Sequence, residues 1–171
     1  MGYPPFLKRL FDSAEVDWAQ YNVTLIFGGE SMSEGMRDYL FKKGVKKVYS
    51  SFGASDLELN IASENDFTIS LRRLIRGNAA LKNELLKYDG ALPMIFQFNP
   101  SDFWIEANQS GELIITICRP GYTSPKIRYN IYDKGHVMQL SELKSILEKH
   151  GLTGKVEFPA SDLPKIGRAH V

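Results

Sequence analysis

Residues Val23–Phe52 read VTLIFGGESMSEGMRDYLFKKGVKKVYSSF, and their reading decides the fold. The run Val23–Phe27 is β-branched and aromatic and stops at Gly28–Gly29, the pattern of a short buried strand. Ser31 or Ser33 offers an N-cap, and Met36, Tyr39 and Leu40 then recur at helical spacing until Gly44 ends the helix. Lys46–Phe52 is a second strand. Strand, helix and strand within about thirty residues make a βαβ unit, which requires parallel strands. Ligands in such sheets gather at the carboxyl ends of the strands. Here those ends are Gly28-Gly29-Glu30 and Phe52–Asp56, which are expected to be neighbours.

Around this unit, Pro4 and Pro5 precede Phe6, Leu7, Leu10 and Phe11, a first helix with prolines at its start. Phe67–Tyr88 reads as two short helices broken near Gly77–Asn78. After Pro93 the pattern changes to strand-like runs: Met94–Phe98, Asp102–Ala107, Glu112–Ile117 and Lys126–Tyr132, separated by Asn-Pro, Ser-Gly and Pro-Gly turns. A turn is expected at Asp133-Lys134-Gly135, and a last helix with Ser141 as N-cap and Gly151 as C-cap. The expected fold class is α/β, one domain with a parallel βαβ core over 1–92 and a β-rich, meander or barrel-like portion over 93–165.

The 171 residues, 43% hydrophobic and 12% aromatic, are enough to bury a core. A formal net charge of +1 gives no reason to expect nucleic acid or an acidic membrane as partner. Cys118 is the single cysteine, which excludes a disulfide framework and a cysteine zinc site. His136, His150 and His170 lack metal-ligand spacing. No apolar run is long enough to span a bilayer and the start lacks a secretory pattern, so a cytoplasmic location is expected.

Both ends carry expectations of their own. One codon set for Ile166–Val171, ATC GGA AGA GCA CAC GTC, lies inside a widely used sequencing-library adapter, so 166–171 is expected to be an artefactual tail. Met1 opens almost directly into a helix and is expected to be an internal methionine of a longer gene.

Three elements carry chemistry, and each has a plain reading beside the functional one. Gly28–Gly29 permits close approach of backbone to a ligand, or simply turns the chain. In Ser50–Asp56, Ser51 and Ser55 offer hydroxyls to phosphate oxygens, Asp56 offers a hard oxygen to Mg²⁺ and Phe52 offers a ring to a base. The plain alternative is a loop in which Ser55 or Asp56 caps the next segment. Asp133 can accept two hydrogen bonds from a ribose diol, or sit in an ordinary hairpin. Trp104 reads as packing, Arg72–Arg73 as a solvated helix face, Lys46–Lys47 as a solvated strand start and Cys118 as a small buried residue. Tyr3, Phe6 and Tyr49 read as core aromatics before pocket residues.

The order of these motifs, with Asp102-x-x-x-Glu106, Gly111–Thr116 and Pro125-x-Ile-Arg-Tyr-x-x-x-Asp133, resembles the AMP-forming adenylating enzymes, most closely the phenylacetate-CoA ligase-like branch. The resemblance runs from about Gly2 to Asp133 and implies a fragment of the large N-terminal domain of such an enzyme. It implies that Gly28, Gly29 and Glu30 lie beside adenine, and that Phe52 and Gly53 pack on the base. It assigns Ser55 to the α-phosphate, Asp56 to Mg²⁺, Arg128 to the nucleotide's surroundings and Asp133 to the ribose hydroxyls. Two positions depart from the family: Asp56 stands where Glu is usual, and Tyr132 stands where Gly usually precedes the ribose-binding acid.

The implied cofactors and substrates are ATP/AMP, Mg²⁺, CoA and a small carboxylic acid. The family's Ser/Thr/Gly-rich phosphate loop and lid lysine have no match in this chain, and Gly167–Arg168 matches a family hinge pair only superficially. The chain alone is therefore expected not to turn over. Two alternatives stand beside this: an adenylating enzyme with a protein-thiol or amino-acid acceptor, and a non-catalytic nucleotide- or partner-binding module.

Overall fold

The computed structural model describes residues 4–12, 16–86, 92–159 and 166–170. The chain is mixed α/β and divides into two compact units, Met1–Ser63 and Glu64–Val171. The boundary expected at 92/93 falls inside the second unit. Tyr3 lies outside the described residues, as do positions 160–165 and 171.

In the first unit, α1 (Pro4–Asp12) turns Leu7 and Phe11 inward, one helical turn apart, and leaves Phe6 exposed. β1 (Thr24–Phe27) pairs parallel with β2 (Lys47–Ala54), with Phe27 opposite Ser50. α2 (Glu34–Lys42) makes the crossover, so the βαβ reading holds. Ser33 caps α2, its hydroxyl accepting from the Met36 amide at 3.2 Å. Gly44 follows at φ +94, and a β-carbon there would lie 2.5 Å from the Ala19 nitrogen, so both conformation and space demand glycine. Leu7, Phe11, Phe27, Met32, Leu40 and Val48 form the core. At full burial each contributes about 1.5–3 kcal/mol.

No strand is expected after Ser50–Asp56 in this unit, yet the chain turns back. β2 continues to Ala54, residues 55–57 form the turn, and β3 (Glu58–Ser63) returns antiparallel with Ser51 opposite Ser63. Glu58-Leu-Asn-Ile-Ala-Ser is polar at its start and has no regular alternation, which hid the strand.

In the second unit, α3 (Asp66–Gly77) opens with a capping box between Asn65 and Thr68, and α4 (Ala79–Leu85) is capped by Asn78. The break near Gly77–Asn78 is as expected. β4 (Met94–Gln97), β5 (Phe103–Ala107), β6 (Glu112–Ile117) and β7 (Tyr129–Met138) follow, then α5 (Leu140–Lys149) and β8 (Ile166–His170). β5, β6 and β7 form an antiparallel meander, and β8 lies antiparallel between β7 and β4. The stretch set aside as a tail thus supplies a strand.

Several local expectations are corrected. Gly135 is buried inside β7 rather than in a turn, its amide donating to the Gly111 carbonyl at 2.9 Å. Gln139, not Ser141, occupies the N-cap of α5; Ser141 is already helical. Gly151 follows the helix at φ +65 as expected. Arg72 is not solvated: it is buried, and its guanidinium donates to the carbonyls of Pro93 at 2.8 Å and Leu92 at 3.1 Å. Those two carbonyls precede β4, and the arginine satisfies them where no strand does. Cys118 is exposed, because β6 ends one residue earlier.

Candidate functional site

The first unit carries the glycine pair and the serine-rich hairpin. Gly28 leaves the sheet just past the Phe27–Ser50 pair, at the level of Ser51. Gly29 sits at φ +87 with open space where a β-carbon would be, so glycine is required there for conformation alone. Glu30 is exposed beside it.

On β2, Ser50, Ser51 and Phe52 are all buried. The Ser51 hydroxyl donates to Asn60 Oδ1 at 2.8 Å, so it serves the hairpin. Phe52 is 7% exposed and belongs to the interior. A β-carbon on Gly53 would lie 2.4 Å from the Leu59 carbonyl carbon and oxygen, at a point where the β2–β3 register shifts. Its glycine is therefore demanded by the hairpin itself. Ser55 and Asp56 are exposed in the turn, closed by the Leu57 amide donating to the Ala54 carbonyl at 3.0 Å. They lie farther out along the hairpin than the level at which Gly28 leaves the sheet.

Among the described residues no three His, Cys, Asp or Glu side chains gather to hold a metal ion. Asp56 would act as a single carboxylate, a donor set that suits Mg²⁺ only when phosphate oxygens and water complete it.

A buried ion pair that the sequence analysis does not single out lies at the start of α2. Glu34 and Arg37 are both buried, with Arg37 Nε 3.3 Å from Glu34 Oε2 and Arg37 Nη1 donating to the Val48 carbonyl. Their i,i+3 spacing was the available signal.

The second unit carries Arg128 and Asp133. Opposed residues of an antiparallel pair share a face, which places Trp104 with Thr116 and Glu106 with Ile114 and Asn130 on one face of the meander. Arg128 precedes β7 at φ +51; its amide donates to Thr116 Oγ1 at 2.9 Å and its Nη1 meets Glu106 Oε1 at 2.6 Å. Trp104, half exposed rather than packed, donates from Nε1 to Glu106 Oε2 at 3.1 Å. Glu106 of the Asp102–Glu106 motif thus holds both side chains in place.

Asp133 lies in a bulge of three residues against one. Glu112 pairs with Lys134 and Ile114 with Asn130, so Leu113 alone faces Ile131, Tyr132 and Asp133. Tyr132 adopts φ +63, its amide donating to Asn130 Oδ1 at 2.8 Å, while Asn130 Nδ2 donates to Glu112 Oε2 at 2.9 Å. Hydrogen bonds from Asn130 and Asn108, with Lys134 nearby, hold the Glu112 carboxyl below the usual range. Partial burial pushes Asp133 the other way, above its ordinary value of 3.8.

No protein-family model, curated protein sequence or solved structure matches the chain.

Proposed function

We propose that the chain is part of an ATP-dependent carboxylate-activating ligase of the AMP-forming type, consistent with the order of its motifs. In this reading the carboxylate attacks the α-phosphorus of ATP, pyrophosphate leaves, and the thiol of CoA then takes the acyl group and releases AMP. The protein's part is orientation and charge stabilisation. By the resemblance, Gly28, Gly29 and Glu30 of the first unit would serve the base and Ser55 the α-phosphate; in the second unit, taken by itself, Asp133 would serve the ribose hydroxyls. Arg128, fixed by Glu106, would stand near the nucleotide. Mg²⁺, with Asp56 among its ligands, would offset phosphate charge.

The observation that carries the reading is the backbone at Tyr132. The resembled family has glycine immediately before the ribose-binding acid, and this chain adopts glycine's left-handed conformation there with a tyrosine. A non-glycine residue held at positive φ costs free energy that neighbouring structure must offset, and such outliers concentrate at ligand sites. Here the Asn130–Glu112 pair supplies the support and Asp133 is the residue presented.

Calorimetric titration with AMP tests the proposal. The 171-residue chain is expected to bind AMP, and Asp133→Asn to weaken it about 10- to 100-fold through loss of a charge-assisted hydrogen bond. Pyrophosphate release with ATP and a panel of carboxylates is expected to stay at background. Absence of AMP binding at millimolar concentration, or equal affinity in Asp133→Asn, would overturn the reading.

A further inference from the structure

We propose that Arg37 is a positioning residue for the Gly28–Ser33 loop, an inference that rests on the nucleotide-binding reading for its functional meaning. The loop is strung between the end of β1 and the first turn of α2. Its first end is fixed to β2 by the parallel ladder that closes at Phe27 and Ser50. Its second end has no ladder. There Glu34 begins the helix, Arg37 lies one turn on, and the guanidinium spans from the Glu34 carboxylate to the Val48 carbonyl of β2. Both ends of the loop are thereby referenced to the strand that carries Ser51 and Phe52.

The ion pair by itself gives little stability. Arg37 is fully buried and Glu34 nearly so, and a desolvated ion pair is often no more stabilising than apolar side chains of the same volume. Met32, the last apolar residue of the loop, already anchors it to the core. What an apolar pair cannot supply is a directed donor to one backbone carbonyl. The guanidinium fork fixes distance and direction together, which lysine does not reproduce. The β2–β3 ladder begins at Ser51, so Val48 lies upstream of the hairpin pairing.

The test compares wild type with the volume-conserving double variant Glu34→Gln/Arg37→Met, with Arg37→Lys, and with Val45→Ala as a core control of comparable instability. The first readout is amide hydrogen exchange at Gly28, Gly29 and Glu30 without nucleotide; the second is AMP affinity. In the double variant, exchange in the loop is expected to rise about tenfold or more while the core strands keep their protection. AMP affinity is expected to fall about tenfold or more. Arg37→Lys is expected to fall between wild type and the double variant, and Val45→Ala to change neither readout. Wild-type loop protection in the double variant overturns the proposal, as does the same loop exposure in Val45→Ala. Failure of both Arg37 variants to fold also overturns it, since the pair would then act in stability. If wild type itself binds no AMP, the ligase reading fails while the exchange comparison still decides the role of Arg37.

Discussion

The Tyr132 amide donates to the Asn130 side chain at 2.8 Å, and that single bond closes a local turn inside a strand. Tyr132 is held at φ +63, where a β-carbon is disfavoured by about 1–2 kcal/mol. Tyr132→Gly is therefore expected to match or exceed wild-type stability, and Tyr132→Val, β-branched and ill-suited to this region, to fall below Tyr132→Gly by about 1–2 kcal/mol. Urea unfolding of the three proteins checks the order, and Tyr132→Val as the most stable of them contradicts the strain assignment.

Asp133 gives a pH dependence of determined sign. Its folded carboxyl titrates above the ordinary 3.8, so the protonated form favours folding; that contribution is complete below 3.8 and is lost as pH rises through the folded value. Above it the charged carboxylate opposes folding. Asp133→Asn is thus expected to melt higher than wild type at about pH 7, with the gap closing on acidification. A gap independent of pH in thermal melts would rule out desolvation as its cause.

Gly53→Ala is expected to destabilise the first unit by about 1–3 kcal/mol, because the added methyl meets backbone and not a movable side-chain end. Loss of amide protection confined to β2 and β3 would locate the damage. A substitution tolerated within about 0.5 kcal/mol would show that the strands do not approach as described.

Asp12 ties α1 to α2. Hydrogen bonds from Lys8 and then Tyr39 lower its carboxyl to about 2, and the same contact raises the Tyr39 phenol to about 12. The Asp12 contribution is present above 3.8 and is lost as pH falls through about 2; that of Tyr39 is present below 10.0 and is lost as pH rises through about 12. The stability difference between wild type and Tyr39→Phe should be flat between 3.8 and 10.0 and shrink outside those limits. Chemical denaturation across the pH range measures it, and a difference that grows in acid contradicts the pairing.

The βαβ unit was legible because apolar period, cap and terminating glycine agreed over Val23–Phe52. The break at Gly77–Asn78 and the β5–β6–β7 meander were legible for the same reason. Strand β3 was not, since its pairing with β2 is fixed by the close approach at Gly53 and not by alternation. Arg72 and Arg37 look solvated in any reading of charge alone; only the carbonyls they serve explain their burial. At the candidate site, residue types pointed to Asp133 and Gly29, but the bulge that presents Asp133 depends on Asn130 and Glu112 on different strands. Glu106 was noted within a motif, while its partner Arg128 lies 22 residues away.

Strand β2 pairs parallel with β1 over Lys47–Ser50 and antiparallel with β3 from Ser51 onward. The second half closes through a turn of three residues, and hairpins of this kind form in about 1–10 μs. The first half waits for an entire crossover helix to be laid down, a slower, less local event. Folding of the first unit should accordingly proceed from the hairpin backward, with the carboxyl-terminal half of one strand serving as the template on which its amino-terminal half later finds a partner.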